Sequence, residues 1–203
     1  MAGSEGELQK IVLSRSLKVV ASREFSIADL MSRLALDESI TVFATPLCRP
    51  ETGGAMLVGA TPELLVEKRA NHIAPHPLAG SARRYRDEAE DRRSADSLWK
   101  SDKDRREHAM VVESIMDILT PYCAELCAPE GMALRPTASM WHLGTHIVGR
   151  LKDASAPSEH FVSLLHPTPA VCGVPRMAAH SRISELEAYD RGFYAGAVGW
   201  CDS

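Results

Sequence analysis

Several segments of this chain carry groups able to move protons or hold an ion. The densest is Ser101-Asp-Lys-Asp-Arg-Arg-Glu-His-Ala-Met-Val-Val112. On a helix advancing about 100° per residue, Val111, Ile115 and Ile118 form one apolar stripe. Glu107, four residues before Val111, falls along that stripe; Asp104 lies one turn earlier, and His108 shares the side. A carboxylate carried into a buried stripe is costly unless it is protonated, paired with Arg or Lys, or bound to a cation. Two readings stand: a solvated charged face, with the stripe ending before residue 108, or carboxylates gathered around an ion. Without a matching Cys/His cluster, that ion would be a hard one such as Mg²⁺ rather than zinc.

Other groups are scattered. Pro77-Leu-Ala-Gly-Ser-Ala-Arg-Arg84 reads as a turn joining a strand to the long helix. There Gly80 and Ser81 can bring backbone N–H groups and a hydroxyl up to a small anion, or the segment is an ordinary turn with its arginines in solvent. Glu63 follows Pro62 at the start of a strand-like run, and Lys10 opens another; either can be a plain edge charge. His142 and His146 have a helical metal-pair spacing on a run that reads as a strand, which separates them. Cys123 and Cys127 have no second pair to complete a metal site. G-x-x-x-x-G-K-[ST], G-x-G-x-x-G and G-x-S-x-G are all absent, so neither nucleotide binding nor a serine nucleophile has motif support.

The elements that must position these groups alternate early and segregate later. Lys10–Val20 reads as a strand, and Ser26–Leu36 as a helix with Ser26 as N-cap. Strands at Ile40–Thr45 and Ala55–Ala60 form a hairpin through Pro50-Glu-Thr-Gly-Gly54, followed by strands at Glu63–Glu67 and His72–Leu78. Asp87–Leu119 has no proline or glycine and reads as one long helix or two with a break, closed by Thr120-Pro121 and Pro129-Glu-Gly131. Strands at Ala138–Val148 and Phe193–Trp200 flank a short helix at Ser158–Leu165. The pattern is α+β, antiparallel sheets with helices packed around them, in one domain of 203 residues.

Composition narrows the function classes. A net charge of −4 gives no electrostatic case for nucleic acid or an anionic membrane. No apolar run reaches the roughly 20 residues of a membrane span, and the polar Met1–Glu7 lacks the character of a signal peptide. Five cysteines, an odd number in a chain of this size, read as reduced thiols in a cytoplasm.

Taken in order, the segments resemble the chorismate-utilising enzymes over nearly the whole chain. The resemblance rests on Lys10-Ile-Val-Leu-Ser-Arg15, Gly59-Ala-Thr-Pro-Glu-Leu-Leu65, Pro77–Arg84, Lys103-Asp-Arg-Arg-Glu-His108 and Trp141-His-Leu143. It continues through Leu165-His-Pro-Thr-Pro-Ala-Val-Cys-Gly173 and Tyr189-Asp-Arg-Gly-Phe-Tyr-Ala-Gly-Ala-Val-Gly-Trp200. The Leu-Ala-Gly-Ser-Ala-Arg-Arg and Lys-x-Val-Leu-Ser-Arg forms resemble the isochorismate branch. That resemblance implies a Mg²⁺-dependent isomerase moving a hydroxyl from C4 to C2 of chorismate, serving siderophore or menaquinone synthesis. It implies Lys10 as the general base toward water, Glu63 as the general acid at the departing hydroxyl, and Glu107 as a Mg²⁺ ligand with Asp104 in support. It also implies Gly80, Ser81, His142, Ala170 and Val171 as substrate-binding positions.

The alternatives within the family are a salicylate or anthranilate/aminodeoxychorismate synthase; aminating members usually lack a lysine at the Lys10 position. The family's domain continues past the Gly-Trp motif, whereas this chain ends at Cys201-Asp-Ser203 and begins almost on the first motif. The expectation is therefore a partial catalytic domain, monomeric and cytoplasmic, with chorismate as its small-molecule partner, or else an inactive truncated remnant.

Overall fold

Two prolines, Pro75 and Pro77, stand where the two main sheets of this protein join. The computed structural model describes residues 7–47 and 54–202. Its strands, in chain order, are β1 (Lys10–Ile11), β2 (Thr41–Pro46), β3 (Met56–Thr61), β4 (Leu64–Arg69), β5 (His72–His76) and β6 (Leu78–Arg83). After the helices come β7 (Cys123–Cys127), β8 (Met132–Pro136), β9 (Met140–Thr145), β10 (Val148–Leu151) and β11 (Gly173–Val174). The helices are α1 (Ile27–Leu34), α2 (Glu88–Lys100), α3 (Asp102–Leu119), α4 (Ser158–Leu165) and α5 (Arg176–Leu186), with a 3₁₀ turn at Thr120–Tyr122.

All strand pairs among the described residues are antiparallel. One sheet runs β4-β5-β10-β7 and another β6-β9-β8, with β2-β3 and β1-β11 as separate pairs. The first two are joined by backbone hydrogen bonds. β5 pairs with β10 and β6 pairs with β9, and between them the N–H of Ile147 reaches the Pro75 carbonyl (3.0 Å) and that of Thr145 the Pro77 carbonyl (3.3 Å). Proline lacks an N–H, so it fits here because the ladder asks only for its carbonyl. The α+β expectation holds: the sheets are antiparallel, with α2 and α3 packed on β6 and β9 and α4 on β4.

α3 packs across this junction, against β6, β9 and β7. Val111, Ile115 and Leu119 are buried against Ile73, Cys123, Ile147, Leu151, Phe161 and Leu165. The stripe runs through Leu119 rather than Ile118, and His108 continues it at 2 % exposure. Asp104 therefore lies on the row of buried residues and Glu107 on its flank, both half-buried. Ser101 divides the long helical stretch in two. Its extended backbone (ψ 107°) ends α2, and its hydroxyl caps α3 by accepting the Asp104 N–H.

The other expected elements are mostly present. Ser26 caps α1 by accepting the Asp29 N–H, the β2–β3 hairpin forms, and α4 spans Ser158–Leu165. Part of the hairpin's Pro50–Gly54 turn, and Cys48, lie outside the described residues.

Three expectations are corrected. Lys10–Val20 is not a long strand: β1 covers two residues, because its partner β11 is equally short, and Leu17 and Val20 stand 83 % exposed. Phe193–Trp200 forms no strand; local bonds such as Tyr194 N–H to Arg191 O and Gly196 N–H to Phe193 O turn the backbone instead. Pro77–Arg84 is not a turn before the helix but strand β6 itself. Gly80, at φ +82°, makes a bulge there: Leu78 faces Gly144 and Ser81 faces His142, so Ala79 and Gly80 together oppose Leu143.

Candidate active site

Glu63 sits at the corner between β3 and β4, where its own N–H is held by the Thr61 hydroxyl (3.2 Å). Its carboxyl group is turned inward and accepts from the backbone N–H of Leu78, at the start of β6. Burial raises its pKa from the usual carboxylate range to about 7, against smaller lowering effects from that N–H and from Lys10. A carboxyl group in this state can hold a proton near neutral pH and give it up.

Lys10 is brought to the same place by β1. Burial lowers its pKa, opposed first by the charge of Glu107 and then of Glu63, while Lys103 adds to the lowering. An amine with a lowered pKa has more of its neutral, proton-accepting form available. The fold thus gathers Lys10, Glu63, Glu107 and Lys103 into one electrostatic neighbourhood from the N-terminal strand, the β3–β4 corner and the first turns of α3.

Asp104 and Glu107 converge on a single cation. The Lys103 ammonium lies 3.7 Å from Asp104 Oδ1 and 3.3 Å from Glu107 Oε1, and these carboxylates raise its pKa, Glu107 most. Asp104 also accepts from the Ser101 hydroxyl (2.5 Å). Among the described residues no group of three or more His, Cys, Asp and Glu is arranged around a metal. Two half-buried carboxylates one turn apart nevertheless fit a hard divalent ion, which takes one or two carboxylates and completes its shell with water and substrate oxygens. Lys103 itself is mostly exposed.

Gly80 joins this centre to the next pair of residues. A Cβ built on it would stand 3.0 Å from Asp104 Cβ, so β6 lies directly against the first turn of α3. One residue further, the Ser81 hydroxyl and His142 Nδ1 are 2.8 Å apart across the β6–β9 pair, and burial lowers the His142 pKa. Their backbone frame is fixed by Arg84, Asp91 and Trp141. Asp91, nearly buried on α2, accepts from Arg84 Nη2 (3.0 Å) and from the Trp141 indole N–H (3.0 Å), and the Arg84 guanidinium stacks 4.7 Å from the indole. Arg84 is therefore not a solvated arginine.

Ala170 and Val171 lie in the loop before β11, tied to Thr168 by the Ala170 N–H to its hydroxyl (3.3 Å) and the Val171 N–H to its carbonyl (3.1 Å). Because Gly173 pairs with Ile11, that loop runs beside the strand of Lys10. His146 is not paired with His142; its ring packs edge-on against His76 at 5.6 Å. Cys123 and Cys127 occupy the two ends of β7, and the described cysteines are free thiols.

Two contributors escaped the reading of the sequence. Lys103 had a legible signal, its i, i+4 spacing to Glu107. The buried contact of His108 Nε2 with Thr145 Oγ1 (2.7 Å) had none, since the partners are 37 residues apart. Burial, with His76 and Lys10 nearby, lowers the His108 pKa to about 4, so a neutral imidazole lies beneath the charged cluster.

A family model described as chorismate binding enzyme matches residues 2–203. The chain is 42% identical over 202 residues to the isochorismate synthase DhbC of Bacillus subtilis, covering 98% of this chain and 51% of that protein. The crystal structure of DhbC from Bacillus anthracis superposes with a TM-score of 0.84 at 42% identity, over 91% of this chain and 50% of that one. MenF, the menaquinone-specific isochorismate synthase from Escherichia coli, superposes with a TM-score of 0.60 at 27% identity, over 67% of this chain and 31% of that one. The chain spans about half the length of the curated relatives it matches. No helix among the described residues is long and apolar enough to cross a membrane.

Proposed function

Since this chain belongs to the chorismate-binding enzyme family, we propose that it carries the acid–base centre of an isochorismate synthase. The single observation behind this reading is the opposed tuning of Lys10 and Glu63 in one neighbourhood, an amine pushed toward its neutral form and a carboxyl group pushed up to about 7. The two shifts run in the directions a base and an acid need: burial favours the neutral amine of Lys10 and the protonated carboxyl group of Glu63.

In this reading water attacks C2 of chorismate while Lys10 accepts its proton. The ring double bonds shift, and the C4 hydroxyl departs as water with the proton of Glu63. One water enters and one leaves, so the product is an isomer of the substrate. Asp104 and Glu107 would hold a Mg²⁺ ion, whose contribution is to neutralise substrate carboxylate charge. Gly80, Ser81, His142, Ala170 and Val171 would bind the substrate, Ser81 and His142 as a hydrogen-bonded pair. A cytoplasmic monomer serving siderophore or menaquinone synthesis completes the reading.

The test is incubation with chorismate and Mg²⁺, with products separated and identified. Isochorismate is the expected product. Release of pyruvate with salicylate, or with anthranilate when ammonia is supplied, would assign another branch of the family. Unaltered chorismate would count against the reading for this chain.

A further inference from the structure

The C-terminal segment crosses back over the first strand and ties it down. β1 and β11 match over only Lys10↔Val174 and Ile11↔Gly173, extended by Gln9 N–H to Val174 O (2.9 Å) and Val12 N–H to Cys172 O (2.8 Å). So short a ladder is weakly specified on its own. Arg191, 179 residues from Val12, reaches into this junction. Its Nη2 donates to the Val12 carbonyl (2.7 Å) and its Nη1 to the Val171 carbonyl (2.8 Å).

We propose that Arg191 is a positioning residue, its guanidinium fork setting the spacing between the strand that bears Lys10 and the loop that bears Ala170 and Val171. The roles of those three residues rest on the function proposed above; the clamp rests on the distances. Arg191 is itself aimed by Glu187, whose carboxylate accepts from both Arg191 Nε (2.8 Å) and Nη2 (2.5 Å) and is 3 % exposed against 17 % for the arginine. The same carboxylate accepts from the N–H (2.7 Å) and hydroxyl (2.8 Å) of Ser14, and that hydroxyl also meets Tyr189 Oη (2.7 Å). These bonds draw the Glu187 pKa to about 2, Arg191 contributing most. The network is thus charged on both sides, and each of the three guanidinium nitrogens donates to a partner, a geometry that a point-charge lysine cannot reproduce. Gly173 supplies the close approach: a Cβ there would stand 2.1 Å from the Lys10 carbonyl oxygen.

Arg191→Lys in the 203-residue chain tests the clamp without relying on catalysis. Amide hydrogen exchange followed by peptide mass spectrometry should accelerate at least tenfold in both 9–14 and 170–174, with Val111–Leu119 unchanged. Acylation of the Lys10 amine, measured against Lys100 as internal reference, should change several-fold; general loosening would instead accelerate exchange in Val111–Leu119 as well. Where the chain turns over chorismate, kcat should fall at least tenfold. If Arg191→Lys does not fold, Glu187→Gln takes its place with the same expectations, and Tyr189→Phe serves as a control that leaves 170–174 protected. Exchange that accelerates in only one segment or neither, unchanged Lys10 acylation, or an undiminished kcat overturns the proposal. A wild-type chain that leaves chorismate untouched overturns the isochorismate reading, while exchange and acylation still decide the clamp.

Discussion

Gly80 and Asp104 touch backbone to side chain: a methyl group on Gly80 would stand 3.0 Å from Asp104 Cβ and 3.4 Å from Leu143 Cδ1. The glycine also sits at φ +82°, where an L side chain is strained. Gly80→Ala therefore meets two penalties at once, and urea unfolding should show a loss of about 1–3 kcal/mol. A variant as stable as the parent would mean that the bulge and the first turn of α3 separate freely.

Lys10→Ala should abolish conversion of chorismate while changing its affinity only a few-fold by calorimetry. Removing a proton acceptor acts on the transition state far more than on the bound substrate. An affinity loss matching the loss of turnover would make Lys10 a binding residue.

Glu63 makes a prediction for pH. Its folded pKa, about 7, lies above the ordinary value of 4.5. Its contribution to stability is then fully present below 4.5 and disappears as pH rises through 7, by at most about 3 kcal/mol. Urea unfolding at pH 5 and pH 8 should show a wild-type advantage over Glu63→Gln that shrinks at the higher pH. Turnover, which needs the protonated acid, should fall above about pH 7. A wild-type advantage independent of pH would remove the raised pKa.

His108 runs the other way. Its folded pKa, about 4, lies below the ordinary 6.5, so its contribution is present above 6.5 and lost as pH falls through 4. Thr145→Val leaves the buried Nε2 without its 2.7 Å partner and should cost about 1–3 kcal/mol near neutral pH in the same unfolding measurement. A neutral outcome would mean that the imidazole finds another partner.

Glu107→Gln should raise the Mg²⁺ concentration needed for half-maximal turnover at least tenfold, since it removes one of two convergent carboxylates. An unchanged titration would take Glu107 out of the ion's surroundings.

Local rules carried much of this architecture. Ser26 and Ser101 end or begin helices because a serine hydroxyl satisfies an N–H of the first turn, and that is readable wherever serine precedes a helical pattern. The Asp104–Glu107 turn and its lysine were readable for the same reason: helical neighbours are set by spacing. The β6 bulge was not, because the same Gly-Ser pair suits a turn or a bulged strand, and only pairing with β9 decides between them.

Residue types and short spacings were enough to establish the α+β class and the helical carboxylates, and the ordered motifs resembled the family whose model matches the chain. Tertiary structure alone decided which distant residues act on one another: Lys10 with Glu63 through their charges, and in contact Ser81 with His142, His108 with Thr145, and Arg191 with both Val12 and Val171. The physical reason is range. Caps and helical faces arise from bonds within a few residues, whereas burial, which raises the Glu63 pKa and lowers that of Lys10, exists only once remote segments have excluded water together.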